Sequence, residues 1–368
     1  MANFIYIDRA DQLADFCRAS ADSDWLGLDT EFLREKTYYP LLCLVQISGE
    51  HGIACIDPLA IDDLAPLRQL LLDPRLVKVL HAARQDLEVL HPSLQAIPRP
   101  VFDTQLAAGL LGYGDQIGYG ALVADVVGVH LAKAHTRADW SRRPLDADAL
   151  AYAADDVRYL GELYRHLQQR LDAAGRSEWL NTEAAMLGDP ALWLPDPQTA
   201  WLRVRGQSRL EDAAARGALR ALAAWRERRA MEKNRPRRWI LHDDALLDLA
   251  TRMPQSEAEL REIGGLDGLL KARQGEALLA AVAEGAKEPL TAAQASIPSG
   301  EERATVRRLG QMVRERADAM HLSPALLANR RQLEQLVQGE RDLPVLKGWR
   351  REVVGEELLA AAAAAESA

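Results

Sequence analysis

The chain is short of cysteine, of uninterrupted apolar sequence and of positive charge, and each shortage removes a class of protein. Its 368 residues include three cysteines, Cys17, Cys43 and Cys55, with no Cys-x-x-Cys spacing. An odd, scattered set fits neither a disulfide framework nor a zinc site, and reads as reduced thiols of a cytosolic protein. No charge-free apolar run of about 18 residues occurs, so no membrane span is expected. Met1 to Asp11 has no basic start and no apolar stretch, so no secretion signal is expected. The net charge of −9 argues against a protein coated for nucleic acid.

That charge is unevenly spread. Between Trp201 and His242 twelve Arg and Lys stand against four acids, a local excess of +8 that leaves −17 for the rest. A concentrated basic block on an acidic chain suits a phosphate-binding surface, with Arg228, Arg237 and Arg238 as candidates; a solvated Arg-rich helix face accounts for it equally.

Length predicts two or three domains. Residues 1–189 alternate strands and helices. Trp25 to Phe32 reads as a buried strand, Leu41 to Ser48 and Gly52 to Ile56 as a hairpin, and Leu76 to Leu80 as a short strand. A helix from Arg84 is expected to stop before Pro92, Asp103 to cap the next helix, and Asp146 to Arg170 to form one long helix. This pattern gives an α/β domain with a mixed sheet flanked by helices. Pro190, Pro195 and Pro197 mark a linker or wrapping segment over 190–204. Beyond it the chain reads as helical, with a capping box at Ser256 to Glu259, and it repeats itself at an offset of 80 residues. Ala245-Leu246-Leu247 falls on Ala325-Leu326-Leu327, Gly268 on Gly348, and Gly275-Glu276 on Gly355-Glu356. Two all-α modules follow, 205–287 and 288–368, the second with little of the first's basic charge.

Three acidic stretches carry the chemistry: Leu28-Asp29-Thr30-Glu31-Phe32, His81 to Leu87 with Asp86, and Tyr152-Ala153-Ala154-Asp155-Asp156. Asp29 and Glu31 are two apart on a strand and share a face. Asp86 opens a helix at a strand-to-helix junction, where ligand groups gather in α/β sheets. Tyr152 and Asp156 are four apart on a helix and share a face, which Asp155 does not. Like charges side by side repel unless a cation holds them. Four such carboxylates suit two Mg²⁺ or Mn²⁺ ions, hard cations for hard oxygens. Tyr152 is placed to orient water or phosphate, and its ordinary pKa near 10 makes it a poor base. Taken singly, each stretch also fits an ordinary surface charge; their joint occurrence, in order, favours a site.

That ordered set resembles the DEDD exonuclease superfamily, in its Tyr-containing branch, and within it the ribonuclease D family. Asp-Thr-Glu-Phe at 29–32, the segment with Asp86, and Tyr152-x-x-x-Asp156 resemble its three motifs. Phe102-Asp103-Thr104-Gln105 and Asp139 to Leu145 also match the pattern, and the basic module resembles an HRDC domain. The resemblance implies an RNase H-like exonuclease domain followed by two HRDC-type modules. It implies two-metal hydrolysis from RNA 3′ ends, release of 5′ mononucleotides, and substrates such as tRNA precursors. It makes Asp29, Glu31, Asp86 and Asp156 the metal ligands and puts Tyr152 near the attacking water. It leaves His81 without a role. Trp140 fits a core position better than a base-stacking one. Arg137, Arg142 and Arg143 are candidate backbone contacts, or loop charges kept for solubility. A DNA exonuclease would use the same carboxylates, and a non-catalytic RNA-binding adaptor is a reading from another class. A monomer is the default expectation.

Overall fold

The computed structural model describes residues 4–95, 97–131, 138–192, 194–271, 274–290 and 300–366. Six strands, β1 (Phe4–Ile7), β2 (Trp25–Leu33), β3 (Leu41–Gly49), β4 (Gly52–Ile56), β5 (Val77–Leu80) and β6 (Val101–Asp103), form one sheet in the order β1-β4-β3-β2-β5-β6. β3 and β4 are antiparallel, as a hairpin requires, whereas β1–β4, β2–β5 and β5–β6 are parallel. The sheet is therefore mixed. β2 lies in its interior, between β3 and β5.

Helices fill the connections: α1 (Ala10–Ser20), α2 (Ala65–Leu72), α3 (Arg84–Leu94), α4 (Thr104–Leu110), α5 (Tyr119–Val127), α6 (Ala147–Arg158), α7 (Leu160–Ala174) and α8 (Ser177–Leu187). β1 and α1 lie ahead of the first strand read from the sequence. Their signals are short: four residues of Phe-Ile-Tyr-Ile, then Leu13, Phe16 and Cys17 on one buried face. α3 runs through Pro92 to Leu94, where a stop was expected. Pro92 falls in the last turn of α3, so its missing N–H costs one hydrogen bond near the C-terminal end and leaves the rest of the helix intact. All three cysteines are buried and free.

The expected long helix over 146–170 is two helices. The Tyr119 hydroxyl inserts at the break, donating to the Asp155 carbonyl and accepting from the Tyr159 N–H, each at 3.1 Å. Those two groups would otherwise bond each other across one helical turn. A side chain in the ladder is a known cause of such a kink. The second half then seats tightly on the sheet. A Cβ at Gly161 would come within 2.1 Å of the Trp25 ring, so only glycine permits that approach.

After α8, the segment with short helical turns at Pro190–Leu192 and Pro197–Arg203 buries Ala200 and Val204 in a core. It wraps rather than merely links. Two groups of helices follow. The first holds α9 (Ala213–Lys233), α10 (Arg237–Ile240), α11 (Asp243–Arg252), α12 (Glu257–Leu260), α13 (Asp267–Lys271) and α14 (Gly275–Ala286). Ser256 caps α12, accepting from Glu259 N at 3.3 Å, but the expected box is only half made: the Glu259 carboxylate reaches back to Gln255 N and the Ser256 hydroxyl rather than to Ser256 N. α9 and α14 touch backbone to backbone, since a Cβ at Gly217 would lie 2.2 Å from the Gly285 carbonyl oxygen. The second group holds α15 (Gly300–Met320), α16 (Pro324–Leu327), α17 (Arg330–Val337), α18 (Gly348–Arg350) and α19 (Glu356–Glu366). The offset of 80 residues carries α11 onto α16, α13 onto α18 and the start of α14 onto that of α19.

The chain divides into two compact units, one of the described residues in Met1–Leu33, Leu42–Leu192 and Ile297–Ala368, the other of those in Arg34–Leu41 and Trp193–Ser296. The second group of helices thus shares a core with the sheet domain: Leu309, Val313, Leu336 and Trp349 belong to the same buried cluster as Leu44, Phe102 and Leu163. The first group has a core of its own around Leu219, Leu222, Leu246 and Leu278.

Candidate active site

β2 delivers Asp29 and Glu31 on one face, and α6 delivers Asp156 against them. Ligand oxygens of these three carboxylates all lie within 4.8 Å of one another. Neighbouring negative charge and burial act together here. Burial, then Asp86, Asp156 and Glu31, raise Asp29 well above the usual carboxylate range. Burial, then Asp156 and Asp86, push Glu31 up to about 8. Asp156 is pushed up to about 7, mainly by burial. Without a cation, the cluster holds protons that free carboxylates would have released.

Asp86 lies in the first turn of α3 and is 6% exposed. Its Oδ1 accepts the Thr30 hydroxyl at 2.6 Å, and burial pushes its carboxyl up to about 7. It stands outside the group of three among the described residues, yet its charge acts on both Asp29 and Glu31. The residue between the two strand acids is thus the one that anchors the helix acid.

Tyr152 shares a face of α6 with Asp156, close enough for each to act on the other's proton. Burial, then Asp156 and Glu31, raise the phenol further above its ordinary range. Asp155 turns away and pairs with Arg158 at 2.6 Å, as its helix position predicts. Trp140, 4% exposed, is a core residue whose ring lies 6.5 Å from that of Tyr152.

The turn that presents Asp86 is held by a residue that sequence reasoning treated only as a cap. Asp103 does cap α4, accepting from Gln105 N (2.8 Å) and Leu106 N (3.2 Å). It also accepts from Ala82 N (3.1 Å) and Ala83 N (2.8 Å), across from β6. Ala82 has φ +58°, a left-handed conformation that alanine adopts only when its surroundings demand it. His81 is fixed beside it by Ile117 O (3.0 Å) and the Thr104 hydroxyl (2.9 Å), and burial lowers its pKa. Nε2 donates to the Ile117 carbonyl, while the Thr104 hydroxyl, also 3.0 Å from Leu80 O, stands against Nδ1, so His81 is part of the frame. Asp103→Ala would leave four backbone N–H groups, the buried one of Ala83 and three part-buried, without this acceptor at once. It is expected to lower stability by about 2 kcal/mol or more. Thermal melting checks this. Asp103→Asn, which keeps one acceptor, should fall between.

The basic candidates part company. Arg143 gives Nε (2.5 Å) and Nη2 (2.6 Å) to Asp57, Nη1 to Trp140 O and Arg142 O, and Nη2 also to Cys43 O. Its donors are engaged within the protein, so it is corrected from a strand contact to a brace. Arg237 is corrected likewise: it forks onto Glu227, whose side chain is 1% exposed, and lies over the Tyr38 ring. Arg142 and Arg238 are exposed. Arg228, also exposed, lines a cleft with Glu284 and Glu288. Arg137 lies outside the described residues.

Residues 4–172 match the family described as 3′-5′ exonuclease, and 215–282 match the HRDC domain. The ribonuclease D of Granulibacter bethesdensis is 41% identical over 362 residues, which cover 96% of this chain and 91% of that protein. The chain belongs to the ribonuclease D family. A second ribonuclease D, from Gluconacetobacter diazotrophicus, is 42% identical over 347 residues, 91% of this chain and 87% of that one. Among solved structures, Escherichia coli RNase D superposes with a TM-score of 0.84 at 30% identity, covering 98% of both chains. That protein is titled an exoribonuclease involved in structured RNA processing. Ribonuclease D architecture thus extends over both helical groups as well as the sheet domain. Among the described residues no helix is long and apolar enough to cross a membrane.

Proposed function

We propose that the carboxylate cluster is the hydrolytic centre and that Asp29, Glu31, Asp86 and Asp156 hold divalent metal there. The chain is a 3′-5′ exoribonuclease, a phosphodiester hydrolase of the ribonuclease D type. One observation carries the assignment of the site: three carboxylates within 4.8 Å of one another, in the domain matched as an exonuclease. The donors are all hard oxygens, and their mutual repulsion is what a hard cation relieves. The residues present therefore fit Mg²⁺ or Mn²⁺. Bound there, a pair of such ions would supply an acidified water and charge neutralisation at the departing 3′ oxygen.

The chain's own groups set the rest. Thr30 keeps Asp86 in register with the β2 acids. Tyr152, one turn before Asp156 on the same helix face, places a hydroxyl beside the cluster. A phenol raised above its normal range stays protonated at neutral pH, so its role in this reading is to orient water or phosphate with its one O–H, not to take a proton. The products of this reading are 5′ mononucleotides, and tRNA precursors with extra 3′ residues are the proposed substrates.

The test is digestion of matched single strands of RNA and DNA with free 3′ ends. Stepwise release of 5′ mononucleotides from RNA in Mg²⁺ or Mn²⁺, abolished by EDTA, is the expected result. Hydrolysis that survives EDTA would remove the metal assignment. Preference for the DNA strand would replace the RNA reading, and EDTA-insensitive binding without hydrolysis would point to an adaptor.

A further inference from the structure

An exposed tryptophan in the HRDC-matched part of the chain has no place in the hydrolytic site. Trp239, on the short helix α10, is 57% exposed. Exposing an indole to water costs burial that the core would have rewarded. Arg235 lies over its ring, 5.6 Å from the centroid. Arg238 precedes it in the chain and is also exposed.

Trp239 borders a cleft of about 550 Å³ between the end of α9, α10 and the turn before α13. Arg229, Lys233 and Arg238 line this cleft with the Gly265 turn, and among the described residues no carboxylate does. Trp239 and Arg238 also border a second cleft, of about 490 Å³, of mixed charge, where Arg34 and Arg203 stand with Glu35, Glu227 and Asp243. Arg229 pairs with Glu232 at 3.1 Å, whereas Lys233 and Arg238 are exposed. The chain as a whole is acidic, so the cations lining the first cleft beside one exposed indole are a local exception.

We infer that Trp239 is a base-stacking platform for single-stranded RNA, with Lys233 and Arg238 holding phosphates on either side of the stacked base. An aromatic face beside a basic groove is the arrangement that grips single strands without reading their sequence. Cations alone would serve a duplex or a polyanion; the exposed ring adds the requirement for an unstacked base. The platform is a binding residue and takes no part in hydrolysis. It rests on the exoribonuclease reading for its choice of RNA.

The test uses the full chain and a labelled oligoadenylate, bound in EDTA so that nothing is cut. Trp239→Ala is expected to weaken binding about tenfold or more, and Trp239→Phe to retain most of it. The slope of log affinity against log salt should be unchanged in Trp239→Ala, but shallower by about one in Arg238→Gln and in Lys233→Gln. In Mg²⁺, Trp239→Ala should raise KM on the same strand and leave kcat at saturation unchanged. Parental affinity in Trp239→Ala, or equal loss in the alanine and phenylalanine variants, would overturn the platform. Failure of the parent to hydrolyse RNA would instead sink the exoribonuclease reading, and the EDTA binding series would still report on Trp239.

Discussion

Asp29→Asn is expected to lower kcat by roughly 10³-fold or more while leaving RNA affinity in EDTA close to that of the parent. Asn keeps the size of the side chain and loses the charge. Asp29 sits where burial and three neighbouring acids converge on one carboxyl, so its removal changes the electrostatics of the whole cluster. The same substitution carries an opposite sign for stability. In the unfolded chain carboxylates release their protons near pH 4. In the folded chain Asp86 and Asp156 hold theirs to about 7 and Glu31 to about 8. Between those limits the folded state binds more protons than the unfolded state, so stability falls as pH rises. Below pH ~4 the penalty is absent, and it grows as pH rises through the range in which Asp86, Asp156 and Glu31 lose their protons. The metal-free parent should therefore melt several degrees lower at pH 8 than at pH 5, and Mg²⁺ should restore much of the loss at pH 8. Asp29→Asn should show a shallower fall and a smaller Mg²⁺ effect. Single-turnover release of mononucleotides and thermal melting in EDTA check the two halves. Parental activity in Mg²⁺ would end the case for Asp29 as a ligand, and a flat melting profile in the parent would show that the acids do not press on one another.

What the sequence made legible at this site is what periodicity encodes. Asp29 and Glu31 share a face because a strand repeats every two residues, and Tyr152 and Asp156 because a helix nearly repeats every four. Asp155 could be set aside on the same ground. The hairpin, the mixed sheet and the cap at Asp103 were readable for similar reasons. Contacts between distant segments were not. Nothing in Tyr119 announces that its hydroxyl will part α6 from α7, and nothing in Thr30 announces a bond to Asp86, 56 residues away. Asp103 was recognised by its local task, while its second task, clamping Ala82 and Ala83, depends on β5 and β6 lying side by side. The arginines show the limit most clearly. A guanidinium in a loop looks free until its acceptors are known, and Arg143 and Arg237 each find a buried carboxylate far away in sequence, or one separated from them by a turn. Trp239 escaped notice for the converse reason: exposure of an apolar residue is a property of the fold alone.

Trp349→Ala is expected to cost about 3–5 kcal/mol, the range for emptying a buried aromatic site. Trp349 is 5% exposed and stacks on Trp179 of α8 at 4.5 Å and 10°. Its Nε1 donates to Glu183 at 2.9 Å, and Arg350 forks onto the same carboxylate at 2.5 and 3.0 Å. Arg176 adds a further tie, donating to Leu110 O (2.6 Å) and Met320 O (3.0 Å). Truncating Trp349 removes the ring and leaves a void between α8 and α18, while Arg350 still satisfies Glu183. Glu183→Ala does the reverse, keeping the packing and leaving a largely buried guanidinium and an indole N–H without their shared acceptor. The two losses act on one junction, so their combination should cost less than their sum. Because these residues lie in a core continuous with that of the sheet, both variants should lower a single melting transition that also reports the exonuclease domain. Two separate transitions, with only one displaced, would mean that the C-terminal helices fold on their own. The difference bears on function: a helical segment built into the nuclease core stiffens α4, α7 and α8, and through α7 the sheet that carries Asp29 and Glu31. Loss of Trp349 should then lower activity at temperatures well below the melting point, with no change in the metal requirement.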